Sequence, residues 1–349
     1  EVLLRWYEEN SRQLPWRGIT DPYKIWLSEI ILQQTRIEQG RDYYERFISA
    51  FPTVSQLAAA SEQDVLKLWQ GLGYYSRARN LHTAARQVVN NFGGRFPDTY
   101  QSIRSLKGVG RYTAAAIASF AFRLPYPVVD GNVYRFAARY FGIVTPIGTD
   151  AAYTEFERYL IRVIDYDRPD LFNHAMMDFG SLHCRPVNPD CTICPFASSC
   201  QAYKSGRVAL LPIRPVPIKV RSRYLIYIDV RWLDDGNEYL LVHQRSGKDI
   251  WKGLYELPVV EINNLPDDNQ AVNISTQWIE NQCHQKPTKI WLVKRCKHKL
   301  THQTLHVVFI RSQLIQEPLC QSDSCRSILW QDIKNIPVPR LIDSYLNNC

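Results

Sequence analysis

Four cysteines, Cys184, Cys191, Cys194 and Cys200, fall within one short stretch with the spacing C-x6-C-x2-C-x5-C. Clustered thiolates are soft ligands, suited to an iron–sulfur cluster or to a tetrahedral zinc ion. Structural zinc sites usually pair two short knuckles across a long spacer. Here a single loop must wrap one object, which fits a cubane cluster better than one zinc. Two disulfides are the other alternative, and no secretory leader pattern favours them.

Two carboxylates point to a different chemistry. Glu29 sits in Ile25-Trp26-Leu27-Ser28-Glu29-Ile30-Ile31-Leu32-Gln33-Gln34-Thr35, a helical stretch that is apolar on nearly every face. Desolvation raises a carboxyl pKa and lets the group donate a proton near neutrality, although a buried Glu paired with an arginine would read the same way. Asp130 lies in Val128-Val129-Asp130-Gly131-Asn132-Val133, where it is either an ordinary helix N-cap or a second functional acid. Between them runs Leu106-Lys107-Gly108-Val109-Gly110-Arg111-Tyr112-Thr113-Ala114. Gly108 and Gly110 allow backbone N–H groups to approach an anion, and a helix beginning near Arg111 adds its positive end. That is a helix–hairpin–helix suited to a DNA phosphate, a grip independent of base sequence.

The elements that must position these groups differ between the two parts of the chain. Residues 1–207 read as helical, with apolar periodicity over Asp64–Gln70, Ala78–Asn91, Thr113–Phe122 and Ala151–Asp165. Asp21-Pro22, Phe51-Pro52, Gly93-Gly94 and Phe96-Pro97 punctuate them. A proline-bearing, basic linker is expected over 208–223, with Pro212, Pro215 and Pro217. Residues 224–349 then read as an α+β domain. Its strands are expected at Tyr224–Val230, Tyr239–Gln244, Ile290–Cys296 and Leu305–Ile310, with helices near Ser275–Gln282 and Arg340–Asn347.

The 349 residues and 45% hydrophobic content allow two cores. No apolar run approaches the roughly 18 residues of a membrane span. The net charge of +8 favours a polyanionic partner, and residues 1–207 hold 20 Arg against 4 Lys, the cation better shaped for phosphate forks. The sequence begins at Glu1, so a short N-terminal stretch is expected to precede it. Unpaired cysteines fit a reducing, cytoplasmic setting, nucleoid-associated if the source is bacterial.

Taken in this order, Trp26-Leu27-Ser28-Glu29, Leu32-Gln33-Gln34-Thr35, Gly108-Val109-Gly110-Arg111-Tyr112-Thr113-Ala114, Val129-Asp130-Gly131-Asn132-Val133 and the cysteine loop resemble the helix–hairpin–helix DNA glycosylases. Within that superfamily the chain is similar to the adenine DNA glycosylase (MutY) branch. The resemblance implies a [4Fe-4S] cluster on Cys184, Cys191, Cys194 and Cys200, loop 184–200 presenting Arg185 to phosphates. It implies that Glu29 protonates a flipped adenine and that Asp130 stabilises the sugar cation, with Tyr112 and Asn132 supporting them. Arg17, Gln34, Thr35, Leu72, Tyr74, Gly108, Gly110 and Arg111 are carried over as DNA-contacting positions. The implied partner is duplex DNA holding adenine opposite 8-oxoguanine or guanine, bound by a monomer with no membrane attachment. The endonuclease III branch carries a lysine where this chain has Tyr112, and a tyrosine cannot form its Schiff base. A monofunctional enzyme is therefore expected, the alternatives being a glycosylase/AP lyase of that type or a non-catalytic DNA-binding iron–sulfur protein.

In the second domain, Gln244-Arg245-x5-Trp251-Lys252-Gly253-Leu254-Tyr255-Glu256-Leu257-Pro258 resembles the Nudix-like module of the same family, which reads 8-oxoguanine. A Nudix hydrolase would carry Glu six residues after Gly253; Val259 stands there, so pyrophosphatase activity is expected to be absent. The lesion-reading triplet of the family, Phe-Ser-His after a His, is here His298-Lys299-Leu300-Thr301-His302. Thr301 keeps the hydroxyl, His302 matches, Leu300 replaces the aromatic, and Lys107 stands where the family usually has Pro.

Overall fold

The computed structural model describes residues 1–215, 220–320 and 325–348, so Pro217 of the expected linker lies outside the described residues. The chain separates into two compact units, Glu1–Ala59 with Asn80–Val216, and Ala60–Arg79 with Pro217–Cys349. Residues 60–79, which read as part of the helical half, thus group with the β-rich unit.

The first unit is helical. Its Pro22–Leu32 helix starts at Asp21, whose carboxylate accepts from the N–H groups of Tyr23 and Lys24, with Pro22 in the first turn. Ile25, Trp26, Leu27, Ile30 and Ile31 are buried round its circumference, as expected of a helix apolar on nearly every face. The Arg111–Phe122 helix carries Ala114, Ala115, Ala116 and Ala118 buried, small side chains that let a neighbour approach closely. Phe136, Phe156, Phe172 and Phe179 anchor a core shared by the Gly131–Phe141, Asp150–Leu160 and Pro169–Asp178 helices. The helix expected over Ala151–Asp165 stops at Leu160. Beyond it Asp165 accepts from the N–H groups of Asp167 and Arg168, a local turn that competes with another helical turn.

The second unit is built on a seven-stranded mixed sheet: β1 (Arg221–Asp234), β2 (Asn237–Gln244), β3 (Tyr255–Glu256), β4 (Val259–Ile262), β5 (Lys289–Lys299), β6 (Gln303–Gln313) and β7 (Cys325–Leu329). The order is β3-β2-β1-β6-β5, with β4 on β1 and β7 on β2; only β1 and β6 run parallel. All four expected strands and both expected helices are present, and β3, β4 and β7 add short segments too brief to show alternation. Along β1, Leu225 and Tyr227 join a core with the Arg340–Leu346 helix. Ile226, Ile228, Val230 and Trp232 join one with the Asp268–Cys283 helix on the opposite face. Burial on both faces is why this strand reads as a continuous apolar run. The result is an α+β domain with helices on both sides of its sheet.

A buried carboxylate interrupts that core. Asp229 is fully buried and accepts from Arg231 Nε at 2.8 Å, Arg311 Nε at 2.7 Å and Tyr345 Oη at 2.8 Å. Among the described residues, no helix is long and apolar enough to cross a membrane. Replacing Asp229 with Ala leaves Arg311 without its carboxylate and Arg231 with Glu238 alone, and Asp229→Ala should cost about 3–5 kcal/mol in denaturant unfolding. A loss below about 1 kcal/mol would show the carboxylate to be dispensable.

Candidate active site

A cavity of about 390 Å³ in the first unit gathers Arg17, Glu29, Gln34, Thr35, Tyr112, Asp130, Asn132 and His174 on its walls. Glu29 enters it from the apolar Pro22–Leu32 helix and is only 6% exposed. Tyr112, on the first turn of the Arg111–Phe122 helix, donates its hydroxyl to Glu29 Oε2 at 2.7 Å. Burial pushes the Glu29 carboxyl up to about 7; the Tyr112 hydrogen bond opposes this, and the charge of Asp130 adds to it. A group half-protonated at neutral pH is suited to giving and retaking a proton.

Asp130 sits at the N-terminus of the Gly131–Phe141 helix, where its Oδ1 accepts from the N–H groups of Asn132 at 2.8 Å and Val133 at 2.7 Å. Its Oδ2 accepts from Asn132 Nδ2 at 2.8 Å. Burial raises its pKa as well, but three donors and the helix end stabilise the anion. Asp130 is thus the N-cap of this helix, and it also lines the cavity that Glu29 enters. Asn132 is held in turn by Arg135, which also donates to the carbonyls of Cys184, at 2.8 Å, and Gly180. Gly180 must be glycine: a Cβ there would lie 2.4 Å from the backbone oxygen of Asn132.

Arg17 does not point outward. With Arg12 it clamps the fully buried Asp178, whose carboxyl stays below its ordinary pKa despite burial because both guanidinium groups donate to it. His174 stacks on Phe120 with ring centroids 3.9 Å apart, and burial keeps it neutral by lowering its pKa to about 3. The sequence gives no sign of either His174 or Asp178, because no local pattern marks a lone His or Asp on an otherwise apolar helix.

The hairpin lies between the Tyr100–Arg104 and Arg111–Phe122 helices. Gly108 has a positive φ of 78°, and a Cβ there would meet Asn80 at 2.6 Å. Gly110 caps the second helix without a side-chain hydrogen bond, leaving the turn served by backbone alone. The Arg111 side chain is engaged inward, bonded to Glu157 at 2.8 Å and lying over Tyr153. Lys107 donates its backbone N–H to Gln87 at 2.7 Å.

Cys184, Cys191, Cys194 and Cys200 all line one pocket. Arg139 donates to Cys184 Sγ at 3.4 Å and to the carbonyl of Arg185 at 2.7 Å, while Cys200 donates to the Arg139 carbonyl. Among the described residues no three potential ligands converge at metal-binding distance. Four thiols around one pocket, two of them engaged by one arginine, nonetheless form a donor set that fits a thiolate-bound cluster.

Residues 298–302 and the Leu72–Tyr74 turn meet in a second cavity, of about 450 Å³, inside the other unit. His298, Leu300, Thr301 and His302 line it where β5 turns into β6, and Leu72 and Tyr74 face them from residues 60–79. The hydroxyls of Tyr74 and Thr301 are hydrogen bonded to each other. Arg245 and Arg223 bind the nearby carboxylates Asp249, Glu256 and Glu261, so these acids are occupied by guanidinium groups.

Residues 27–160 match the HhH-GPD superfamily of base excision DNA repair proteins, and residues 230–348 match the NUDIX domain. A solved thermostable thymine-DNA glycosylase superposes with TM-score 0.55 and 29% identity over 58% of this chain and 94% of that one. An endonuclease III–DNA complex at 22% identity and TM-score 0.51, over 58% of this chain and 92% of that one, shares the fold. Fold and site together define a base-excision DNA glycosylase of the helix–hairpin–helix superfamily. The adenine DNA glycosylase of Buchnera aphidicola subsp. Schizaphis graminum is 32% identical over 99% of this chain and 97% of that one. That of Mus musculus is 42% identical over 61% of this chain and 44% of its own length. The chain belongs to the adenine DNA glycosylase family.

The Glu29 environment has a consequence for stability. A carboxyl whose folded pKa is raised binds its proton more tightly when folded, so its contribution is intact below about pH 4.5, is lost as pH rises from there to about 7, and stays lost above. Glu29→Gln removes that cost while keeping an acceptor for Tyr112. The variant should be the more stable by about 2–3 kcal/mol at pH 8, a gain that vanishes below pH ~4.5. Equal stabilities across that range in thermal or denaturant unfolding would mean that Glu29 is not desolvated.

Proposed function

We propose that this glycosylase hydrolyses the N-glycosidic bond of adenine paired with 8-oxoguanine or guanine in duplex DNA. The observation that carries the reading is the pairing, in one cavity, of a proton-retaining Glu29 with an Asp130 whose anion is stabilised by three donors. Two carboxyls in contrasting surroundings are what glycosidic cleavage uses. The adenine is taken out of the stack into the pocket. Glu29, steadied by Tyr112, gives its proton to N7, and the C1′–N9 electron pair leaves with the neutral base. The Asp130 carboxylate, oriented by Asn132, faces the positive charge that develops on the sugar. Water then forms the C1′–O bond and returns a proton to Glu29. With tyrosine rather than lysine at position 112, this pocket supplies no amine for a Schiff base, which disfavours lyase chemistry.

In this reading Gly108, Gly110 and the first turn after them grip a backbone phosphate through N–H groups, as does Arg185 with its charge. Gln34 and Thr35 border the extrahelical base. Leu72, Tyr74, His298, Leu300, Thr301 and His302 form the surface that meets the opposing lesion, with Thr301 presenting its hydroxyl to the base edge. Cys184, Cys191, Cys194 and Cys200 would hold a [4Fe-4S] cluster, which when bound supplies the metal–thiolate bonds that close the loop. The protein would act as a monomer.

Single-turnover excision on duplexes pairing adenine with 8-oxoguanine, G, C or T tests the assignment. Glu29→Gln should lower excision at least ~10²-fold with duplex binding retained. Thr301→Ala should cost roughly 1–3 kcal/mol of preference for 8-oxoguanine. Near-normal excision by Glu29→Gln would refute the proton-donor role, and uniform loss on all four duplexes by Thr301→Ala would refute the reading role.

Metal analysis tests the cluster separately. Protein prepared without oxygen should contain about four irons per chain. Cys191→Ser should lose iron and much of its folded yield, since metal binding is coupled to folding of the loop. Zinc alone in such a preparation would overturn the assignment.

A further inference from the structure

A smaller cavity of about 190 Å³ lies in the second unit, next to the loop that carries Thr301. Its floor is the stacked pair Phe309 and Tyr345, with centroids 4.1 Å apart, both almost fully buried. Its rim is cationic: Lys294 and Lys297 from β5, and Arg340 from the C-terminal helix. No carboxylate lines it. Elsewhere in this unit Arg223, Arg231, Arg245, Arg295 and Arg311 are all in ion pairs with acids. Among the described residues, Lys294, Lys297 and Arg340 have no ion-pair partner. Three uncompensated cations around one concavity raise the local potential and favour an anion there.

We propose that this cavity is a phosphate site, and that its occupant is a backbone phosphate of the strand whose base faces Thr301. Two observations connect it to that strand. His298 and Arg340 line both this cavity and the larger one containing Thr301 and Tyr74, so a nucleotide presented to Thr301 has its phosphate within one residue's reach. Lys294 and Lys297 are also exposed, so docking to a strand needs no burial of their stems. The site carries no base information; it sets the register in which the base edge is read. A free nucleotide would bring the same phosphate chemistry, and the test separates the two sources.

The inference rests on the glycosylase reading, and the first measurement checks that reading alone: single-turnover excision by the unaltered protein on the 8-oxoguanine duplex. The second is the salt dependence of binding of the full chain to that duplex, compared with Lys294→Gln/Lys297→Gln. Removing one lysine–phosphate pairing should lower the slope of log K against log[salt] by about 0.9. From 50 to 200 mM salt the unaltered protein should therefore lose ~3.5-fold more affinity than the double variant. Lys289→Gln/Lys334→Gln removes two cations that do not line the cavity and should leave the slope nearly intact. The third arm titrates the protein without DNA with inorganic phosphate and with deoxyguanosine monophosphate. An unchanged slope in Lys294→Gln/Lys297→Gln, or an equal fall in the control pair, overturns the site. Saturable nucleotide binding abolished only in Lys294→Gln/Lys297→Gln, with an unchanged DNA slope, overturns the strand as occupant and assigns the cavity to free nucleotide. Excision absent from the unaltered protein sinks the glycosylase reading instead.

Discussion

A carboxyl group kept out of water governs the first unit. Glu29 could be ionised cheaply almost anywhere on the surface. The Pro22–Leu32 helix instead buries it among Ile25, Trp26, Ile30 and Ile31 and gives it one hydroxyl partner, Tyr112. The rest of the pocket follows from that cost. His174 is buried without charge, and Arg17, which could have neutralised Glu29 outright, is committed to Asp178. Had Arg17 paired with Glu29 directly, the carboxyl pKa would fall and the proton would be gone at neutral pH.

Asp130 solves the complementary problem with backbone. Two N–H groups at a helix start and one amide keep its charge tolerable where it is part-buried. The geometry is set by packing more than by hydrogen bonds alone. Gly180 lets the chain leading into Cys184 lie against the Asn132 backbone, and Arg135 stitches the two together. The cysteine loop and the acid-bearing turn are thereby parts of one rigid corner, and Arg139 on the same helix reaches Cys184 and Cys200.

How much of this was legible in the sequence follows the range of the interaction. The Pro22–Leu32 and Arg111–Phe122 helices, the apolar run of β1 and the cysteine spacing are local, and local periodicity and turn residues report them. The depth of Glu29 was readable for the same reason, since an apolar surround on one helix is a local property. The Arg12–Asp178 and Arg17–Asp178 pairs, the Arg135–Gly180 bond and the Gly180–Asn132 contact join residues 45 or more positions apart. No pattern within either segment announces its partner. The short β3, β4 and β7 strands escaped because alternation needs more residues than they contain.

The least legible feature is also the one on which the proposed lesion reading rests. Residues 60–79 belong to a helical run by sequence, yet Gln63 bonds Tyr255, Gln70 bonds Asp343, Lys67 reaches the Ile336 carbonyl and Tyr74 bonds Thr301. The Glu62–Leu68 helix has polar positions that look like an ordinary solvated face, and only the fold shows partners for them far along the chain within the same unit. The cavity around Thr301 is accordingly made from stretches far apart in the chain, Tyr74 and Thr301 being 227 positions from each other. A chain cut at the linker would lose Thr301 and would also leave Tyr74 and the Gly71–Gly73 turn without the surface they fold against. Removal of residues 224–349 therefore cannot separate the proposed lesion reading from stability, whereas a single hydroxyl deleted at Thr301 can, because it leaves every one of the other contacts in place.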